Sequence, residues 1–201
     1  PRWCMLTQLV ELDQSVALAL NQAVTGLGAE RLIEVVAIYL IYLLPIVLVF
    51  LWWRGYRRES FLAFCAAIIA WWGLNQLFGL LYFRHRPFDR ADSQIVEFLF
   101  HQPDKSFPSD HAAAAFSVGL MLILSRQPRL GGAILALAVV NGLARVATGF
   151  HYVTDLFGAV ITAAIAVAIV WQWRSGITQY VFRPMEKLAK SAERAVSSKK
   201  T

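Results

Sequence analysis

The chain has 201 residues, with 19 Lys and Arg against 13 Asp and Glu, a formal charge of +6. Apolar residues make up 58%, charged residues 16%, and the mean hydropathy is +0.53. These values exclude a disordered chain and a soluble single-core domain, and since the basic residues form no single stripe, they exclude a nucleic-acid partner as well.

Residues 6–27 come first in the chain. Glu11, Asp13, Gln14, Asn21 and Gln22 interrupt this apolar stretch, which predicts an amphipathic helix lying on the surface or against a bundle, with partial insertion as the alternative. The first residues lack the basic, apolar and small pattern of a cleavable signal peptide. Five apolar runs follow, at 32–53, 61–83, 111–124, 131–144 and 152–173. The first is long enough to cross a hydrocarbon layer of ~30 Å at about 1.5 Å per residue; the third and fourth are short, which puts their polar ends at the interface. The predicted fold is therefore all-α: an integral membrane bundle of five transmembrane helices plus the N-terminal helix. Residues 1–182 form the membrane domain, and 183–201 form a basic tail that rests on anionic headgroups as an interfacial helix. Cys4 and Cys65 are too few for a disulfide framework and are expected as free thiols. Trp71 and Trp72 fall mid-span, where packing is the expected role.

Sidedness follows from the basic residues, because cytoplasmic loops retain Lys and Arg. Arg54, Arg57 and Arg58 lie between the first two spans, Arg126 and Arg129 between the third and fourth, and Arg174, Arg183, Lys187, Lys190, Arg194, Lys199 and Lys200 in or near the tail. The opposite side has fewer: Arg2, Arg31, Arg84, Arg86, Arg90, Lys105 and, at the end of the fourth span, Arg145. The loop 84–110 is thereby predicted to face outward.

Three polar segments meet on that outward side: Arg84-His85-Arg86-Pro87-Phe88, then Phe107-Pro108-Ser109-Asp110-His111, and then Arg145, His151 and Asp155. Each suits a phosphate. A helix beginning at Ser109-Asp110 offers free N–H groups and the positive end of its dipole. Arg86 and Arg145 present planar forks that match phosphoryl oxygens. His151 and Asp155, four residues apart, share a helical face, so the carboxylate can fix the imidazole tautomer. An oriented neutral histidine is a nucleophile, and His111 can serve as the acid. Taken singly, Ser-Asp reads as a helix cap and Arg-Pro as an interfacial anchor. Their meeting at the span ends of one face favours a site, because ionisable groups there must pair or bind something. His85 and His101 read as surface residues, and the four histidines lack the ligand spacing of a zinc site.

This combination resembles the type-2 phosphatidic acid phosphatase superfamily of membrane phosphatases. Arg86-Pro87 matches its first motif, Pro108-Ser109-Asp110-His111 its second, and Arg145 with His151 and Asp155 its third. Three positions depart from the pattern: Gly79 stands in place of a first-motif lysine, Asp110 in place of glycine, and Ala144 in place of serine. The Arg-Pro-Phe and Ser-Phe-Pro-Ser-Asp-His strings are similar to the bacterial undecaprenyl pyrophosphate phosphatase branch, the bacitracin-resistance type. The resemblance implies a phosphohistidine on His151 oriented by Asp155, protonation of the leaving lipid phosphate by His111, and a phosphoryl group held by Arg86, Ser109 and Arg145, with Arg84 a candidate replacement for the missing lysine. It implies no required metal or cofactor, a polyprenyl pyrophosphate substrate, and a multi-pass protein of the bacterial cytoplasmic membrane with its site facing the exterior. Other lipid phosphates, such as phosphatidylglycerol phosphate or a lipid A type, remain alternatives, as do transfer to a lipid acceptor and an anion-binding transporter. Nothing in the sequence specifies an oligomeric state.

Overall fold

A computed structural model describes residues 2–89, 93–97 and 105–198. His101, Arg90, Lys199 and Lys200 lie outside these residues, as does the side chain of Cys4. Among the described residues every regular element is helical. We label them α1 (Arg2–Gly26), α2 (Glu30–Trp53), α3 (Arg57–Leu81), α4 (Asp110–Leu124), α5 (Pro128–Ala147), α6 (Val153–Gly176) and α7 (Arg183–Ser198).

Helices α2, α3 and α5, and α6 together with its extension, are long and apolar enough to cross a membrane, whereas α4, with 15 residues, is a shorter apolar helix. Of the five expected spans, with the third and fourth short, four are thus long enough to cross, the fourth among them as the 20-residue α5, and the third is the shorter helix α4. The bundle's outer surface is that of a protein in lipid: Phe157, Ile161, Phe50 and Leu143 are exposed large apolar residues on spanning helices. Trp72 also faces outward, 69% exposed, with its edge against Trp71. This departs from the expected packing role; both residues sit in a wide π-type stretch of α3, Ile69–Leu74. A tighter turn at Leu40–Tyr42 interrupts α2. Pro45, four residues past Ile41, has no N–H to give to the Ile41 carbonyl, which accounts for the local change of helix type.

The centre of the bundle is α4, whose residues from Ala112 to Gly119 are all buried. It packs against α3, α5 and α6. Small side chains make this possible. At Gly119 and Gly131 the α4 and α5 backbones touch: a β-carbon on Gly131 would fall 2.6 Å from the Gly119 carbonyl oxygen. In lipid, close backbone approach of this kind supplies packing energy that water would otherwise supply through the hydrophobic effect.

Helix α1 lies against α5 and α6. Among its described side chains the buried ones are Asp13, Ala17 and Asn21, four apart and therefore on one face, while Val10, Leu12 and Val16 point outward. Asn21 donates to the carbonyls of Val96 and Ala147 and accepts from the Val96 N–H, all at 2.9 Å. One side chain thus ties α1, the loop at 93–97 and the end of α5. At the opposite end of the bundle, α6 continues through Ile177–Phe182 into α7. Arg57 meets Glu186 at 3.3 Å, and Arg58 Nε donates to Thr178 Oγ1, so the extension of α6 and the start of α7 are docked on the first turn of α3.

Candidate active site

The alternating helices bring the three polar segments to the same end of the bundle. Gly149 makes the turn between α5 and α6, with φ of +79°, a conformation that side-chain-bearing residues rarely adopt. The Phe88 N–H donates to its carbonyl, which joins the segment after Arg86-Pro87 to this turn. The Ser109 N–H donates to the Asp155 carbonyl at 3.3 Å, joining the start of α4 to the start of α6.

Ser109 occupies the position preceding α4, yet its hydroxyl makes no capping bond. Its Oγ is buried and has no hydrogen-bond partner among the described residues. That separates the two meanings of Ser-Asp before a helix: this serine is not serving as a cap. Its hydroxyl and the first N–H groups of α4 form a set of donors suited to an anion.

Arg86 and Arg145 are both buried, and each guanidinium carbon lies 5.1 Å from the centroid of the Phe150 ring. Arg145 projects from the last turn of α5, where a cation is favoured by the helix dipole. Its Nη1 reaches the Ala37 carbonyl at 3.4 Å, while its buried Nε has no hydrogen-bond partner among the described residues. Two guanidinium groups on one ring, away from water, repel each other; an anion between them relieves that repulsion and accepts their remaining donors.

His151 is buried, and its Nδ1 lies 2.8 Å from the backbone carbonyl of Ser106. A carbonyl only accepts, so Nδ1 carries the proton and Nε2 keeps its lone pair. The Asp155 carboxylate stands 3.5 Å from Nδ1. It is the second partner of the ring, where the sequence had suggested the first. Asp155 Oδ2 also accepts from Ser106 Oγ and from the Tyr152 N–H, at 2.8 Å for the latter. The carboxylate therefore holds the segment that holds the histidine. Burial pushes the His151 pKa below its ordinary 6.5, and the positive charges of Arg145 and Arg86 push the same way against the opposing pull of Asp155.

Arg84 is engaged on both terminal nitrogens. Nη1 meets Asp155 Oδ1 at 3.0 Å and Thr154 Oγ1 at 2.6 Å; Nη2 meets Asp13 Oδ2 at 2.8 Å. Its guanidinium carbon lies 3.6 Å from the Tyr152 ring centroid. Asp13 in turn accepts from the Thr154 N–H and hydroxyl. The geometry sets Arg84 between two carboxylates, as a tie between α1 and α6.

His111 lies on the first turn of α4, partly exposed, at the mouth of a groove of about 370 Å³. Asp110 and His111 form its polar end, and Leu44, Leu48, Phe64, Ile68 and Trp71 of α2 and α3 line the rest. Asp110 Oδ1 accepts from Asn75 Nδ2 at 2.8 Å and from Lys105 Nζ at 3.1 Å. The carboxylate that replaces a glycine in the second motif is thus met by a donor and a cation.

A family profile of the PAP2 superfamily matches residues 60–179, more than half of the chain and all three motifs. The chain belongs to the PAP2 superfamily. Among its relatives in this superfamily, the bacitracin transport permease protein BcrC of Bacillus licheniformis is 26% identical over 163 residues, covering 80% of this chain and 79% of the relative. The undecaprenyl-diphosphatase BcrC of Bacillus subtilis is 29% identical over 129 residues, 63% of this chain and 65% of that one. A putative undecaprenyl-diphosphatase, YbjG of Escherichia coli, is 30% identical over 138 residues, 66% of this chain and 69% of that one. The crystal structure of Aquifex aeolicus LpxE superposes with a TM-score of 0.66 at 21% identity, covering 79% of this chain and 93% of that chain, which gives the shared fold. As a PAP2 member the chain is a membrane phosphatase.

Five side chains at this PAP2 site escaped sequence reasoning as functional groups: Asp13, Asn75, Lys105, Ser106 and Phe150. Asn75 carried a signal, being a buried amide inside an otherwise uncharged apolar run. Ser106 lies within the Ser-Phe-Pro-Ser-Asp-His string already noted. The other three become visible only through the tertiary contacts they make.

Proposed function

We propose that this PAP2 protein hydrolyses a polyprenyl pyrophosphate, undecaprenyl pyrophosphate in a bacterial cytoplasmic membrane, through a phosphohistidine on His151. One observation carries the reading: a buried imidazole with its proton fixed on Nδ1 stands at the same end of the bundle as two buried guanidinium groups. The names of the relatives support the pyrophosphate, and the apolar groove ending at Asp110 and His111 supports a lipid chain.

In the first step the His151 Nε2 lone pair attacks the terminal phosphorus. The bond from phosphorus to the bridging oxygen breaks, its electron pair stays on the leaving lipid phosphate, and His111 gives that oxygen a proton. Arg86, Arg145 and the Ser109 hydroxyl hold the three peripheral oxygens as charge builds on them. In the second step water attacks the phosphohistidine, His111 takes the water's proton, and the phosphorus–nitrogen electrons return to His151. Inorganic phosphate leaves and both histidines regain their starting states. Asp155 acts through the ring and through Ser106, and Arg84 acts through Asp155.

The site faces the cell exterior in this reading, since most basic residues in loops and tail lie at the other end. There the amphipathic helix α7, with Arg183, Lys187 and Lys190, rests on anionic headgroups.

The test is phosphate release from undecaprenyl pyrophosphate by folded, detergent-purified protein. Wild type releases phosphate and His151→Ala loses at least about a thousandfold in kcat, the scale seen when a nucleophile is removed. Retained activity in His151→Ala removes the nucleophile assignment. Uptake of the lipid headgroup analogue into sealed vesicles without hydrolysis would replace the reading with transport.

A further inference from the structure

Lys105 lies on the segment leading into α4, and its side chain is only 13% exposed. Its stem crosses α3 directly over Gly79. A β-carbon at position 79 would stand 2.3 Å from Lys105 Cδ, 2.9 Å from Cε and 3.6 Å from Nζ. Any side chain at 79 would displace the lysine, so glycine there keeps the track open. The track ends at Asp110 Oδ1, 3.1 Å from the ammonium.

The Asp110 carboxylate holds the cation there against the rest of its surroundings. The start of a helix bears partial positive charge, and Arg86 and Arg145 add two buried guanidinium groups at the same end of the bundle. Asp110 is shared with Asn75, which reaches the same oxygen at 2.8 Å. Asp110 and His111 also form the polar end of the apolar groove, so the ammonium stands where the headgroup of a lipid in that groove meets α4. A cation held in such a position by a lipid phosphate would be stabilised by the ligand and would stabilise it in return.

We propose that Lys105, threaded over Gly79, is a phosphate-binding residue of this site and contacts a phosphoryl oxygen of the bound lipid pyrophosphate. The inference rests on the phosphatase reading above. Because the β-carbon position of residue 79 is 3.6 Å from Nζ, a lysine side chain grown from that position can place its ammonium in the same neighbourhood once Lys105 is shortened. The charge, rather than the residue that brings it, is what the site requires.

The experiment compares wild type with Lys105→Ser, Lys105→Ser/Gly79→Lys and Lys105→Ser/Asp110→Asn, each checked for folding by thermal denaturation in detergent, with farnesyl pyrophosphate as substrate. Loss of one charge-assisted contact predicts a fall in kcat/KM of about tenfold or more in Lys105→Ser. The relocated lysine of Lys105→Ser/Gly79→Lys regains at least a third of wild-type kcat/KM. If Lys105 serves only to neutralise Asp110, removing both charges in Lys105→Ser/Asp110→Asn restores activity; that result overturns the proposal. So does wild-type kcat/KM in Lys105→Ser, or a folded Lys105→Ser/Gly79→Lys protein with no recovery. A wild-type protein inert toward a panel of lipid mono- and diphosphates overturns the phosphatase reading itself, a different outcome from an active enzyme indifferent to Lys105.

Discussion

The proton on His151 Nδ1 has a consequence for pH that follows from burial. The folded protein holds the imidazole neutral, with a pKa below 6.5, whereas the unfolded chain takes up a proton near pH 6.5. Between those two values the unfolded state binds more protons, so this group's contribution to stability is complete above about pH 6.5 and declines as pH falls through the folded pKa. If His151 is the nucleophile, as proposed, activity follows the same group, because burial favours its unprotonated form. In the proposed mechanism the acid limb of kcat/KM against pH, which reports the substrate-free protein, is therefore expected at a midpoint under 6.5, measured by phosphate release with substrate well below KM. A midpoint above 6.5 would contradict the burial effect or the assignment of this limb to His151. At this scale the sequence was informative about residue types and their spacing. Arg86, Ser109, His111, Arg145, His151 and Asp155 all carry legible chemistry, and all stand at one end of the bundle. What spacing could not supply was the partner order around the ring. An Asp four residues after a His suggests direct pairing, but the carbonyl of Ser106, 45 residues away, takes the nearer place.

Helix α1 was foreseen as a helix, but not as an amphipathic one of the expected kind. Polar interruptions in an apolar stretch signal an amphipathic helix, and the usual sense has the polar face toward water. Here Asp13 and Asn21 face the protein, where they satisfy backbone groups of α5, α6 and the loop at 93–97, while Val10, Leu12 and Val16 face out. Hydropathy counts polar groups and carries no information about which neighbours will need their hydrogen bonds. The arrangement makes α1 part of the site's support, through Asp13, Arg84 and Asp155. Asp13→Ala leaves the half-buried Arg84 paired with Asp155 alone and the Thr154 N–H unsatisfied, a loss of about 1–3 kcal/mol. A lowered Tm in detergent is expected together with reduced kcat, because the carboxylate beside His151 loses its brace. Unchanged Tm and kcat would reduce α1 to a peripheral anchor. Gly79 is the converse case at this scale: its meaning lay in a lysine from a distant segment, which no local pattern discloses.

For the molecule as a whole, the distribution of Lys and Arg predicts an exterior site, and the prediction is independent of the catalytic residues. In a background without Cys4 and Cys65, Gln94→Cys stands at the site end and Gln127→Cys in the turn between α4 and α5. A membrane-impermeant maleimide applied to intact spheroplasts should modify Gln94→Cys and spare Gln127→Cys until the membrane is opened. The reverse pattern would invert the topology. The all-helical bundle was legible from apolar run lengths, with α4 the exception. Its 15 residues rise only about 22 Å, against a hydrocarbon thickness of ~30 Å. With the turn at its far end, which bears Arg126 and Arg129, set in the headgroup plane, the end bearing Ser109 and His111 would stop short of the opposite waterline. Under the proposed function the chemistry would then be submerged, and a reactant would have to dip its anionic head beneath the surface to be cut. Nucleotides and sugar phosphates lack a greasy tail to draw them down, which on that reading would set them apart from the proposed lipid before any donor or charge has been felt.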